Sequence, residues 1–254
     1  MSRIYNYTFQ KQDTRDLKLV HPTTRVVLPP SFDLRTKFTE PIVFDQKSVG
    51  SCTANASALA YMFHLIKQKI PVFTPSRLFI YANSRILQGT PLSEDSGADL
   101  RLVMSAIKNQ HVCPENVWPY IEAKFSVKPS AAAYAAATKH KAFQYLAVSQ
   151  TSNDIKKTLL SGDAIVFGFQ VYESFESDAV AKTGIVPIPD TTKEQYLGGH
   201  AVTLIGWDDS KKAFLVQNSW GEDTFGLKGC CWMPYEFILS PELASDFWCM
   251  KLVS

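Results

Sequence analysis

The sequence predicts an α+β fold of two lobes, and three observations predict it. Apolar residues recur at helical spacing through the first half of the chain. β-branched and aromatic runs, bounded by Gly, Asp and Lys turns, fill the second half. A helical half followed by a β half places a cleft between two packed layers, the natural seat of a site. The expected divisions are a leader over 1–29, a mainly helical lobe over 30–128 and a mainly β lobe over 129–254. The C-terminal tail is expected to return to the helical lobe.

Each element has a local reason. Residues 1–30 are polar and Thr-rich, and the alternation of Tyr5, Tyr7 and Phe9 suits an extended segment laid on a surface. Pro29 and Pro30 stiffen the entry to the globular part. Cys52 to Lys69 reads as a helix ended by the turn "IPVF" with Pro71, and "TPSRLFIYANSRIL" as a second helix with Pro75 at its start. "GADLRLVMSAIKNQ" reads as a third. "PSAAAYAAATKHKAF" is the strongest intrinsic helix by alanine content, and "DIKKTLLSG" is a short amphipathic helix with Gly162 at its C-terminal end. The runs "AIVFGFQVY", "HAVTLIGW", "AFLVQNSW" and "CCWMPYEF" read as strands.

Composition narrows the function. With 46% hydrophobic and 20% charged residues in 254, the chain has the balance of a soluble globular enzyme. A net charge of +2 with no Lys/Arg cluster speaks against nucleic acid as a partner. No apolar run approaches a bilayer span, so no membrane partner is expected. The first sixteen residues lack the apolar core of a secretory signal, which predicts a cytoplasmic protein or, alternatively, one packaged in a virion. Five cysteines are an odd number for a framework of bridges. Cys230 and Cys231 form a vicinal pair, and His21, His64, His111 and His140 are scattered without ligand spacing, so no metal or other cofactor is expected. Asn6 and Asn55 match the glycosylation pattern by chance.

The chemistry concentrates in two segments. In "DQKSVGSCTANASALAY", Cys52 stands where a helix begins. Unsatisfied N–H groups and a partial positive charge there favour a thiolate. A buried packing role is the plainer alternative for a lone cysteine. In "GGHAVTLIGWDDSKKAFLVQNSWG", two strand-like runs flank the turn "DDSK". A hairpin centred near Asp209 would pair residues whose numbers sum to about 418, setting His200 opposite Asn218. Both would share a face with Val202, Leu204, Phe214 and Val216. An imidazole beside the thiol would lower its pKa, the Asn amide would orient the imidazole, and the Cys52 N–H with the Gln46 side chain would hold an oxyanion. Those are the four roles of acyl transfer. His64 is twelve residues along the same helix, about 18 Å away and too far to act as the base. Asp45, beside Gln46, suits a turn or a salt bridge.

The blocks "DQKSVGSCTANA", "GGHAVTLIGWD" and "QNSWG" resemble, in order, the three signature blocks of papain-like cysteine proteases, over about Leu28 to Pro241. The Cys-to-His and Cys-to-Asn separations are 148 and 166 residues, against roughly 130–150 in that family. The resemblance implies a papain-like two-lobed fold, with a helical lobe, a β-barrel-like antiparallel lobe and the active-site cleft between them. It implies Cys52 as nucleophile, His200 as general base and acid, Asn218 as its orienter and Gln46 as oxyanion donor. It also implies that Trp220 covers the His–Asn hydrogen bond and that Phe225 stands near the leaving-group side. "SGAD" would supply the edge strand for substrate backbone through Gly97 and Ala98, and Gly168 and Ala201 would line the main specificity pocket. Gly50, Ser51 and Gly199 would complete the substrate-binding set.

The departures from the pattern are specific. Val49 stands where secreted relatives carry a bridging cysteine, Thr53 where an aromatic usually follows the nucleophile, and no long helical propeptide precedes the domain. The pattern is closer to the compact branch of bacteria, archaea and large DNA viruses. No His-His pair supports the dipeptide-trimming loop of cathepsin B-like enzymes. The expectation is a cysteine endopeptidase acting on proteins or peptides, with residues 1–28 lying across the cleft as its own inhibitor. Two alternatives stand: transfer of the acyl group to an amine by the same site, and an inactive binding module derived from a protease.

Overall fold

A computed structural model describes residues 4–10, 13–22, 26–37, 42–140 and 143–252. Three helices, α1 (Cys52–Lys67), α2 (Arg77–Gln88) and α3 (Leu100–Gln110), form the helical layer. Four shorter ones follow: α4 (Ala131–Ala137), α5 (Ser152–Leu160), α6 (Asp178–Thr183) and α7 (Tyr235–Leu239). Seven strands, β1 (Ser31–Asp33), β2 (Phe143–Ala147), β3 (Ile165–Tyr172), β4 (Tyr196–Asp208), β5 (Ala213–Gln217), β6 (Cys230–Pro234) and β7 (Ala244–Leu252), form one sheet. Its order is β2-β7-β3-β4-β5-β6, with β1 added to the end of β4, and every pairing is antiparallel. The C-terminal strand β7 therefore closes the sheet between β2 and β3. The mixed α+β architecture is the one the sequence predicts.

Helix α1 is the spine. Every residue from Cys52 to Leu65 is buried, which a helix achieves only between two layers. Ala54, Ala56, Ala58 and Ala60 keep it slim and helix-prone, so it packs closely on β4. The Thr203 hydroxyl donates to the Ala56 carbonyl at 2.9 Å. That bond lies one turn beyond Cys52 on the helix and three residues beyond His200 on the strand, and it fixes how far one slides along the other.

Several local expectations shift. Pro75 precedes the α2 cap rather than opening the helix: Ser76 is the N-cap and accepts from the Phe79 N–H. The alanine run yields only seven helical residues, because Ala133 and Ala137 alone bury deeply; its expected extension over 141–142 lies outside the described residues. "CCWMPYEF" splits into β6 and α7, since Pro234 ends the ladder and caps the helix. Cys230 and Cys231 are both buried.

The hairpin register also differs. Thr203 pairs with Gln217 and Leu204 with Val216, then a bulge moves the pairing to Gly206 with Leu215 and Trp207 with Phe214. The excess over the predicted sum is set at the turn, where Asp208 pairs with Ala213, and the extra residue on β4 takes back one step of it. Continued one step, this register sets Asn218 against Val202. His200 and Asn218 are thus diagonal neighbours on one face, a spacing that long polar side chains bridge.

Candidate active site

Cys52 is the first residue of α1, follows Ser51 at the N-cap position, whose hydroxyl turns instead to Tyr120 and Asn55, and is 1% exposed. The Ala201 backbone is close enough to its sulfur to favour the thiolate, so the thiol end of the helix abuts β4 one residue from His200. His200 Nε2 and Asn218 Oδ1 are 2.8 Å apart. An amide oxygen only accepts, so Nε2 carries the proton and Nδ1 is left as the basic nitrogen. The Asn218 oxygen also accepts the Ser219 N–H at 2.8 Å, which fixes the amide's orientation. Trp220 lies against the imidazole with ring centroids 5.2 Å apart and planes 29° apart. Phe169 meets the same ring edge-on at 5.7 Å.

Gln46 is buried on a tight turn just before α1. Asp45 Oδ1 accepts the Lys47 N–H across that turn, the role its position suggests. The Gln46 backbone N–H donates to the Ser219 carbonyl at 2.8 Å. The Ser219 hydroxyl donates to Gln46 Oε1 at 2.6 Å, while Gln46 Nε2 donates to the Val49 carbonyl at 3.1 Å. These bonds fix the amide and occupy one of its two N–H groups. Ser219 was not singled out in the sequence; its place between Asn218 and Trp220 is the only signal that could have found it.

Gly50 and Gly97 form one wall. The Gly50 N–H donates to Asp95 Oδ2 at 2.8 Å, Tyr81 donates to Asp95 Oδ1 at 2.5 Å, and the Gly97 N–H donates to the Tyr81 hydroxyl at 3.0 Å. This clasp joins the nucleophile loop to the segment through Gly97, which is irregular rather than the expected strand, where Val49 rules out a covalent bridge. Ala98 is buried beside it, and Gly168 faces Ala201 across the β3–β4 pair. Phe225 packs edge-on to Trp220 at 4.9 Å. With Phe175, Ser177 and Thr224 they line a cavity of about 200 Å³. Among the described residues no group of His, Cys, Asp or Glu is arranged to hold a metal.

The groove between these walls is filled by the chain's own leader. Asn6 forms a parallel bridge with Gly199, and the Tyr7 N–H donates to the Gly199 carbonyl at 3.1 Å. The Asn6 side chain donates to the Asp95 carbonyl at 2.5 Å. Gly97, at φ +73°, has the Asn6 carbonyl 2.4 Å from where a Cβ would stand, so no other residue fits there. The Tyr7 ring occupies the place a Gly168 Cβ would take, and its hydroxyl donates to Asp246. Tyr5 meets the His200 ring edge-on at 5.8 Å.

Electrostatics differ from the sequence expectation of a thiolate. Burial pushes the Cys52 thiol up to about 11, and hydrogen bonds from Ala201, Thr53 and its own N–H only partly offset that. The helix end favours the anion, but a filled groove withholds water from it, and desolvation wins.

With this geometry in hand, the relatives agree. Residues 28–237 match the family model described as papain family cysteine protease. The chain is 43% identical, over 97% of its length and 82% of the relative's, to an uncharacterized peptidase C1-like protein of Acanthamoeba polyphaga mimivirus. It superimposes on xylellain, a cysteine protease from Xylella fastidiosa, with a TM-score of 0.90 at 39% identity, covering 98% of this chain and 96% of that one. Procathepsin B S9 of Trypanosoma congolense shares the fold, with a TM-score of 0.70 at 18% identity over 96% of this chain and 86% of its own. The chain belongs to the papain family of cysteine proteases and is a cysteine-type peptidase.

Proposed function

We propose that the protein is an endopeptidase that cuts through a thioester on Cys52 and is held silent by its own leader, residues 1–28. The observation that carries the chemistry is the meeting of α1 with β4. The Cys52 sulfur lies by the Ala201 backbone of β4 while His200, one residue along that strand, is held by Asn218 at 2.8 Å. In an open groove His200 Nδ1 takes the thiol proton. The sulfur attacks the peptide carbonyl carbon, a C–S bond forms, and the π pair moves to oxygen beside the Cys52 N–H and Gln46 Nε2. Collapse breaks the C–N bond, with His200 returning the proton to the leaving amine. Water, losing its proton to His200, then hydrolyses the thioester.

Silencing is supported by what the leader occupies. Asn6 and Tyr7 hydrogen-bond at Gly199 and Asp95, and Tyr5 covers His200. Residues 1–3, 11–12 and 23–25 of that leader lie outside the described residues. The same contacts support a specificity pocket floored by Gly168 and Ala201 that accepts an aromatic side chain, as it accepts Tyr7.

Product analysis tests the reaction. An internally quenched peptide is incubated with and without added glycinamide, and the products are weighed. Internal cleavage to free carboxylates is expected. Mainly glycinamide adducts would make it a transferase, and release of terminal residues alone would exclude an endopeptidase.

A further inference from the structure

We propose that Arg77 is a positioning residue that sets both oxyanion donors at once, an inference that rests on the peptidase reading above. Arg77 opens α2, behind the nucleophile loop, and its side chain is only 9% exposed. Glu115 holds the guanidinium in a two-pronged pair, Nε to Oε2 at 2.9 Å and Nη2 to Oε1 at 2.7 Å. The rings of Tyr120 and Phe44 lie 3.9 and 4.5 Å from its central carbon. A buried charge is tolerable only with such complete partnering, and the partnering leaves the group rigid.

The remaining nitrogen reaches forward to the site. Nη1 donates to the Asp45 carbonyl at 3.2 Å and to Asn55 Oδ1 at 3.0 Å. The first bond holds the peptide that leads into Gln46. The second holds Asn55, whose Nδ2 donates to the Ser51 carbonyl at 2.9 Å and hydroxyl oxygen at 3.0 Å, just before Cys52. Tyr120, stacked on the guanidinium, donates to the Gln46 carbonyl at 2.8 Å, and its oxygen lies 2.7 Å from the Ser51 hydroxyl. Both donor segments therefore converge on one planar group. An oxyanion requires donors within about 2.7–3.1 Å of its developing position, and one rigid hub behind both ends of the loop that carries them supplies that tolerance. Lysine keeps the charge but lacks the fork, so it cannot serve Glu115 and two forward acceptors together.

The test compares two probes on full-length protein, with and without Tyr7→Ala. A dipeptide aldehyde with tyrosine before the aldehyde residue adds the Cys52 sulfur to its carbonyl carbon. Its oxygen becomes the oxyanion and takes the thiol's proton. Iodoacetamide alkylates the same sulfur with loss of iodide and HI formed overall, and creates no oxyanion. Arg77→Lys should lower kcat and aldehyde affinity by about 10–100-fold each, as expected for misplacement of about an ångström. KM and the alkylation rate should stay within about threefold, and Gln46→Ala should have less effect in the Arg77→Lys background than alone. Unchanged kcat and aldehyde affinity would overturn the proposal, as would alkylation falling in step with kcat, which marks general damage. Should Arg77→Lys fail to fold, Glu115→Gln carries the same comparison, with losses in the same two quantities expected and their absence overturning it. A Tyr7→Ala chain with Arg77 intact that is not alkylated at Cys52 would instead remove the peptidase reading itself.

Discussion

Replacing Tyr7 with alanine in the full-length chain should release the leader. Tyr7 is 3% exposed, with its ring against Gly168, its hydroxyl on Asp246 and its N–H on the Gly199 carbonyl. An aromatic side chain buries about 150–250 Å², worth at most about 4–6 kcal/mol at 25 cal/mol per Å². Truncation also leaves Asp246, whose pKa burial has already raised, with only the Ser245 hydroxyl and the Gln10 N–H as donors. A loss of about 3–4 kcal/mol raises the open population by about 10²–10³-fold. The thiol should respond as well. At about 11, roughly one sulfur in 10⁴ is ionised at pH 7. Return to the ordinary value of about 8.5 makes that a few per cent before any pairing with His200. Hydrolysis of a quenched peptide and alkylation by iodoacetamide, both at pH 7, report the two effects. Each should rise at least about 100-fold, towards the rate of a chain beginning at Pro30. Tyr7→Ala rates within twofold of the parent, with the Pro30 chain active, would refute the anchoring argument. Equal rates for the parent and the Pro30 chain would refute self-inhibition.

Two further outcomes follow from the site and the core. Gln46→Ala should lower kcat by about 10²–10³-fold with little change in KM, as for loss of one oxyanion donor; steady-state kinetics that show the loss in KM alone would contradict the assignment. Asp163 is buried, which alone would raise its pKa, yet hydrogen bonds from His64, Lys251 and Lys67 outweigh burial and hold it well below the ordinary range. Its stabilisation is therefore complete above the unfolded carboxylate value of about 3.9 and is lost as pH falls through the lower folded value. Urea midpoints should decline below about pH 4, and Asp163→Asn should lose about 3–5 kcal/mol at pH 7 with a shallower acid decline. An unchanged acid limb in the variant would exclude this role.

What the sequence discloses and what it hides divide along a physical line. Cys52, His200, Asn218 and Gln46 can be singled out as candidates because their residue types are chemically distinctive and because helix start and hairpin are local devices. The same locality explains the correct reading of α1, α2, α3, β3 and β4. Long-range events were hidden. Strand β7 is defined by its partners β2 and β3, since "ASDFWCMKL" has no clean alternation. The β4 bulge moves the hairpin register by one step, and Gly206 beside it is a hint of a bulge that does not say where the extra residue falls. The Arg77 hub joins positions 45, 55, 77, 115 and 120, and only folding brings them together. The raised thiol pKa depends on burial in a groove that residues 4–7 fill, a contact more than forty positions away in the chain.

The most direct test of the central claim is mass spectrometry of the full-length chain carrying Tyr7→Ala, after treatment with a peptidyl epoxide. A single adduct on Cys52, accompanied by loss of peptide hydrolysis and absent in Cys52→Ala, is the predicted result. Hydrolysis by the Cys52→Ala chain within twofold of its parent, or an adduct on any other residue that abolishes activity, would contradict it.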